Sequence, residues 1–279
     1  MVAPLSGTEA GREQHAVGAG GDTTVEVDRV AEAIVIEELD RIAGNGERFS
    51  ILSEEAGALD RGAPFPMVLV DPVDGSLNAK QGIPMFAVML AVCQRGESPP
   101  RGVGPRGAGS RRTPPDGLKL EDTLAGYVRH LVTGETWTAI RGKGALHNGK
   151  RFMVLPADRH DGSRMFEVIG LESSPRAVIK ARGLVEASTK IRILGSMALS
   201  IAHTATGGFD AFCAPFPVRV FDTAASVLLL NEVGGVATDM AGKPLGSLPI
   251  GLDSRSTVLC APNPAAHAAA LKALGGGQG

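Results

Sequence analysis

The sequence predicts a layered α/β fold, with an α+β first half and an α/β second half. Three observations carry this. Four apolar residues, 67–70, run straight into Asp71, as a buried strand does. Short apolar stretches around 124–131, 136–140 and 152–155, with Thr133-Gly134 and Asn148-Gly149 as turns, read as antiparallel strands. From residue 165 onward, strand-like and helix-like stretches alternate, the rhythm of α/β layering. The 279 residues, 43% hydrophobic, suffice for one large domain or two that share a core. The expected division is residues 1–160 and 161–279, in one compact unit with a site between the halves.

Residues 1–21, rich in Gly and Ala, read as poorly ordered. Thr23-Thr24-Val25-Glu26 reads as a capping box. Val27, Val30, Ala31, Ile34, Val35, Leu39 and Ile42 then form one apolar face at helical spacing, stopped by Gly44-Asn45-Gly46. A short strand over 49–52 leads to Glu54 and Glu55. Pro72 fixes its own φ and has no N–H to donate, so the 67–70 strand is expected to stop there. Gly75 permits a tight turn, and Ser76 opens a helix. Gly82-Ile83-Pro84 turns the chain into a strand over 85–93. Residues 95–118 are rich in Gly and Pro and include five arginines, which reads as a mobile, dispensable surface loop. In the second half, strands are expected at 165–169, 191–194, 209–214, 235–238 and 257–260. Helices are expected at 175–185, 197–205, 223–233 and 264–274, the third capped by Asp222.

Composition excludes several classes. A net charge of -2 argues against general nucleic-acid binding. No apolar run approaches the roughly 18 residues of a membrane span. Residues 1–21 lack the basic start and apolar core of a signal peptide. Cys93, Cys213 and Cys260 lie far apart in apolar runs and read as buried thiols of a cytoplasmic protein. Six histidines show no zinc-ligand spacing.

The chemistry gathers around residues 71–78. Asp71 and Asp74 flank the start of the Ser76 helix, whose free N–H groups and dipole suit a phosphate. Two carboxylates and an anion repel one another, by roughly 4 kcal/mol per pair at ~4 Å and an effective dielectric of about 20. Divalent cations would resolve the conflict, so the stretch points to a metal-dependent phosphate site. Each acid also has a plain reading: Asp222 as a helix cap, Glu54 and Glu55 as a solvated pair, Asp28 as a helix-surface acid, Asp71 as a turn aspartate.

Four segments in order carry a resemblance. Ser53-Glu54-Glu55, Asp71-Pro72-Val73-Asp74-Gly75-Ser76-Leu77-Asn78, Gly195-Ser196-Met197-Ala198-Leu199 through Gly207-Gly208-Phe209-Asp210-Ala211, and Phe221-Asp222-Thr223-Ala224-Ala225 resemble the motifs of the inositol monophosphatase family. The likeness is greatest to archaeal-type members that combine inositol-phosphatase and fructose-bisphosphatase activities. It implies an αβαβα sandwich of the sugar-phosphatase type, and Mg²⁺ as cofactor. By that resemblance Glu54, Asp71 and the Val73 carbonyl hold one metal, and Asp71, Asp74 and Asp222 a second. A weaker third lies near Glu54. Asp28 and Ser76 resemble the pair that orients or deprotonates the attacking water, with Ser76 replacing a threonine common there. Asp74, Gly75 and Ser76 face the phosphate, and Arg192, Met197 and Arg219 the rest of the substrate.

This chain departs from the family in three places. Its segment ahead of the first predicted helix is short, the loop at 95–118 is long, and Pro215 stands where animal-type members have a substrate-binding glutamate. With Arg192 and Arg219 nearby and no acid, the expectation is a substrate with a second anionic group, so fructose 1,6-bisphosphate at least as good as inositol 1-phosphate. The partner is a small phosphorylated sugar or polyol, and the oligomer a homodimer. Two alternatives stay open: a 3′(2′),5′-bisphosphate nucleotidase, and a non-catalytic regulatory relative. An aspartyl-phosphate mechanism fails, because it wants Asp-x-Asp and the chain has Asp-x-x-Asp. Arg192 reads equally as an exposed strand residue, and Gly142-Lys143-Gly144 as a simple turn.

Overall fold

A computed structural model describes residues 2–94, 117–153, 165–172 and 174–276. The interruption expected to be a mobile loop lies almost wholly outside them. Ahead of the first helix the chain is more regular than its composition suggests. Two 3₁₀ turns lead into β1 (Gln14–Val17), which pairs antiparallel with β2 (Thr23–Val25). Thr23 and Thr24 are therefore strand, not cap. The long helix α1 (Glu26–Gly44) begins one residue later, and the Val25 N–H reaches Asp28 Oδ2 at 3.5 Å.

Strands β3 (Phe49–Ser53) and β4 (Gly57–Asp74) open the first sheet. β3 lies between two limbs of β4, since Ser50 stands opposite both Asp60 and Met67. Helix α2 (Ser76–Gln81) and β5 (Ala87–Cys93) follow. Then come β6 (Thr123–His130), β7 (Thr136–Ile140), β8 (Gly144–His147) and β9 (Lys150–Arg151). The third expected strand in this region is thus Gly144–His147. Phe152 and Met153 are irregular, and 154–155 lie outside the described residues. Asn148 and Gly149, at φ 49 and 73, make the two-residue turn joining β8 to β9. The seven strands run β3-β4-β5-β6-β7-β8-β9.

The second sheet is built from β10 (Phe166–Leu171), β11 (Ser188–Arg192), β12 (Ala211–Arg219), β13 (Val236–Thr238) and β14 (Arg255–Ala261), in the order β11-β10-β12-β14-β13. Its helices are α3 (Arg182–Glu186), α4 (Met197–Ala205), α5 (Ala224–Glu232) and α6 (Pro264–Gly276). Strand β12 does not stop at Ala214. It runs through Pro215 and Pro217, which fall where its register with β14 shifts between Ala214 and Val218. A proline inside a central strand survives at such an irregularity, because no ladder donor is needed there.

Three apolar layers join these elements. Val35, Leu39 and Ile42 of α1 cover Phe49, Ile51, Val68 and Val70 on one face of the first sheet. Its other face, with Leu52, Leu69, Met89 and Trp137, packs on α4 and α5, which also meet Phe212, Val258 and Cys260 of the second sheet. The far face of the second sheet, with Ile169 and Leu259, packs on Leu184 of α3 and on Ala270 and Leu274 of α6. The order helix, sheet, helices, sheet, helices is the expected αβαβα sandwich. All three cysteines are buried free thiols. Among the described residues, no helix is long and apolar enough to cross a membrane.

Two contacts seat α5, the helix that follows Asp222. A Cβ on Gly126 of β6 would stand 2.8 Å from the Ala225 carbonyl oxygen, so only glycine lets helix and sheet approach this closely. At the other end, the Glu232 carboxylate accepts the N–H groups of Gly142 and Gly144 at 2.8 and 2.7 Å. That glycine turn therefore serves the fold. Gly126→Ala is expected to push α5 off β6 and cost about 1–3 kcal/mol, the usual range for overpacking. Denaturant unfolding measures it, and an unchanged midpoint would contradict the close packing.

Candidate active site

The acids stand where the sheets meet α4 and α5. Asp71 follows the buried Val70 on β4 and is itself 2% exposed. Its Oδ1 accepts the Val73 N–H at 3.1 Å, bridging Pro72. The register of β4 with β5 shifts between Asp71 and Asp74, so the strand continues past the proline as a kink rather than ending. Glu54 follows β3, and its N–H bonds the Val70 carbonyl at 3.1 Å. Asp222 arrives on a 3₁₀ turn, Phe221–Thr223, between β12 and α5. One carboxylate oxygen each from Glu54, Asp71 and Asp222 lie within 4.8 Å of one another, and all three residues are buried.

Asp222 is not the cap of α5, a position that Thr223 holds. Its Oδ2 accepts Arg219 Nε at 3.0 Å, while Oδ1 is buried with no hydrogen-bond partner. Asp74 turns to the other side. It accepts the N–H groups of Met197 and Ala198 at 3.1 and 2.9 Å and the Ser196 hydroxyl, and so caps the start of α4. Asn78 extends this seam, its amide donating to the Met85 and Leu194 carbonyls at 2.7 and 2.6 Å. These bonds tie α2 and the end of β4 to residues 194–198.

Gly75 has φ +94, and a Cβ there would stand 3.0 Å from the carbonyl oxygens of Gly195 and Met85. The turn into α2 thus requires glycine. Ser76 opens that helix and is half-buried. Asp28 is buried among Val27 and Ala31 of α1, which pack on Val73 and Ala79. Its Oδ1 has no hydrogen-bond partner, and no hydrogen bond joins it to Ser76 among the described residues. Met197 is buried at the start of α4. Arg192 is exposed at the end of β11, its Nη1 on the Ile191 carbonyl. Arg219, expected to face the substrate, is drawn into the acids and pairs with Glu54 and Asp222.

Burial sets the electrostatics. It pushes Glu54 up to about 8, opposed by Arg219 and reinforced by Asp222. Burial raises Asp71 well above the carboxylate range, with Glu54, Asp74 and Asp222 adding to the rise. Burial also raises Asp222 against the pull of Arg219. Asp28 is pushed up to about 7, by burial first and then by Glu55. These carboxyls are costly to ionise unless a cation joins them. The converging oxygens and the orphaned Asp222 Oδ1 fit a hard divalent cation, which takes oxygen ligands.

Three participants were not singled out in the sequence. Asp22, Ser196 and Arg255 all bear on the acids: Asp22 through Arg219, Ser196 through Asp74, and Arg255 as the neighbour of Arg219 across β12 and β14. Ser196 stood in a quoted motif and precedes a helix start, a signal for capping that could have found its bond.

An αβαβα sandwich with buried carboxylates converging between its layers defines a metal-binding α/β protein. The inositol monophosphatase family model matches residues 4–99 and 118–276, and the chain belongs to that family. It is 31% identical over 278 residues to a fructose-1,6-bisphosphatase/inositol-1-monophosphatase of Methanothermobacter thermautotrophicus, covering 98% of this chain and 91% of that one. It is 28% identical to a bifunctional NADP phosphatase/NAD kinase of Methanococcus maripaludis, over 93% of this chain and 44% of that protein. A solved inositol monophosphatase-fructose 1,6-bisphosphatase superposes with a TM-score of 0.74 at 25% identity, covering 97% of this chain and 92% of that one.

Metal binding is expected to displace protons from the acids. Their folded-state pKa values are raised, so the metal-free fold binds more protons than the unfolded chain and loses stability as pH rises toward 8. A bound divalent metal removes that loss. The gain in Tm on adding saturating MgCl₂ should therefore grow between pH 5 and 8. Its slope is about 2–3 °C per pH unit for each proton displaced. Buried His130 and His267 and half-buried His203, whose values burial lowers, titrate in the opposite sense but cancel in this difference. A pH-independent gain in thermal melts would contradict the proton-holding cluster.

Proposed function

We propose that the protein is a divalent-metal-dependent phosphomonoesterase acting on fructose 1,6-bisphosphate and inositol 1-phosphate. The reading is carried by the buried convergence of Glu54, Asp71 and Asp222 within 4.8 Å, beside the glycine-turned start of α2. The family and the relatives named for both activities support it. Glu54, Asp71 and the Val73 carbonyl would hold one Mg²⁺, and Asp71, Asp74 and Asp222 a second. When bound, such ions polarise a phosphoryl oxygen and stabilise the entering and departing oxygens of an in-line displacement. Asp74 would reach its metal while still capping α4, since each carboxylate oxygen carries two lone pairs.

The remaining steps belong to this chain's own groups. The N–H groups of Gly75 and Ser76 receive the phosphate. Asp28 and Ser76 orient the attacking water, and the Asp28 carboxylate takes its proton as the new P–O bond forms; the ester P–O bond breaks and the departing alkoxide takes a proton from solvent water. Burial raises the Asp28 carboxyl to about 7 in the metal-free protein, the direction a base near neutral pH needs. Residues 1–160 supply most of this machinery, and Asp222 joins it from the second half. Arg192 and Met197 read the part of the substrate beyond the scissile phosphate. With Arg219 engaged by the acids, Arg192 is left to meet a second phosphate.

Asp71→Asn should leave the fold intact and abolish nearly all phosphate release at saturating Mg²⁺; a folded variant keeping a tenth of wild-type turnover would sink the metal assignment. Ser76→Ala should lower turnover by about 10²–10⁴ while Ser76→Thr stays close to wild type. Equal rates for the two would make Ser76 a plain helix start.

Substrate choice is decided by kcat/KM for fructose 1,6-bisphosphate, inositol 1-phosphate and NADP, the last because of the Methanococcus relative. Fructose 1,6-bisphosphate is expected to match or exceed inositol 1-phosphate and to lose that standing in Arg192→Ala. A clear preference for inositol 1-phosphate, untouched by Arg192→Ala, would refute this view of the pocket.

A further inference from the structure

The guanidinium of Arg219 sits among the acids. Its Nε donates to Asp222 Oδ2 at 3.0 Å, its Nη2 to Glu54 Oε1, and its Nη1 to Asp22 Oδ2 at 3.4 Å. The side chain is only 14% exposed. The β1–β2 turn roofs it: a Cβ on Gly20 would stand 2.6 Å from Arg219 Nη1, and the Gly20 N–H donates to the Glu54 carbonyl at 2.6 Å. Glu54 and Asp222 are two of the three converging carboxylates. Arg219 thus spends its donors on the cluster and offers none of these contacts to a substrate.

We propose that Arg219 is a placeholder cation. It pairs with Glu54 and Asp222 in the metal-free protein and gives up its hold on those carboxylates when a divalent metal joins them. This rests on the reading that Glu54, Asp71 and Asp222 hold the metal. One guanidinium pairs with only part of the cluster, and the carboxyls it does not hold in the charged form keep protons that a divalent ion displaces as it binds. Arg219 holds Glu54 Oε1 and Asp222 Oδ2 and leaves Asp222 Oδ1 open, so a metal that enters at Oδ1 shares both carboxylates with the guanidinium and weakens its hold, one cation giving way to another. The displaced guanidinium retains a partner in Asp22, which lies on the turn and outside the converging set. Arg219 therefore acts as a positioning residue: it holds the acids in place and sets how tightly they bind metal.

The test compares wild type with Arg219→Met, Arg219→Gln and Arg219→Lys, each as the full chain stripped with chelator. Thermal melts with and without saturating MgCl₂ and calorimetric titration with Mg²⁺ alone are the readouts. Arg219→Met should lower the metal-free Tm by several degrees, and Mg²⁺ should close most of the gap. Its Kd for Mg²⁺ should fall about tenfold, as linkage between a destabilised metal-free state and an undisturbed bound state requires. Arg219→Lys, keeping the charge, should stay within about threefold of wild type.

An equal Tm gap with and without Mg²⁺ would reduce Arg219 to ordinary packing, and an unchanged or higher Kd would overturn the exchange. A raised KM for fructose 1,6-bisphosphate with unchanged Kd and metal-free Tm would make it a substrate residue. If Arg219→Met folds only with Mg²⁺, the inference stands. If it folds in neither state, Arg219→Gln against Arg219→Lys decides, and equal Kd values for those two would overturn it. Wild type that binds no Mg²⁺ sinks the metal reading itself, whereas tight binding indifferent to residue 219 sinks only this inference.

Discussion

The structure depends on forcing acids together where they would not stay on their own. Glu54, Asp71 and Asp222 come from three separate segments, and burial denies them the water that would screen their repulsion. Each is fixed by backbone rather than by its own preference. β3 and β4 share a ladder that sets Glu54 beside Asp71, and the close packing of α5 on β6 holds the turn that carries Asp222. The scaffold must be stiff because the site is strained electrostatically. A looser sheet would relax by moving an acid into solvent.

The seam through residues 74–78 and 194–198 explains how two sheets can hold one site. Asp74 is bonded to three donors at the start of α4, and Asn78 bridges two carbonyls that belong to different parts of the chain. A helix start offers a carboxylate both hydrogen bonds and a favourable dipole, which offset part of the cost of burial that still raises the Asp74 carboxyl to about 6. The acid motif on β4 and the glycine-serine motif before α4 are therefore one structural unit, although more than a hundred residues separate them.

Much of this was legible in the sequence because it was written contiguously. The apolar run into Asp71, the spacing of α1 and the limits of α4 follow from local pattern, and the order of the acid motifs pointed to the family. What was missed depended on distance or on context. Pro72 and Pro215 look like strand terminators, yet each sits where a ladder slips and no donor is wanted. Asp222 looks like a cap because it precedes a helix by two residues, and only the intervening 3₁₀ turn shows that Thr223 has that place. Residues 1–21 look formless by composition, but β1 gains a partner in β2. Arg219 reads as a cation for the substrate, since neither Glu54 nor Asp22 is near it in sequence.

Among the described residues, strand β11 lies at an open edge of the second sheet, with β10 on one side and no strand on the other. An unpaired edge is a template for joining another chain, and native proteins guard it with charge. Lys190 and Arg192, both exposed, supply that charge here. The residue proposed to meet a second phosphate is thus also a gatekeeper against edge-to-edge association. An apolar replacement at Arg192 would leave this edge more open to growth into a larger sheet, whatever it did to substrate range.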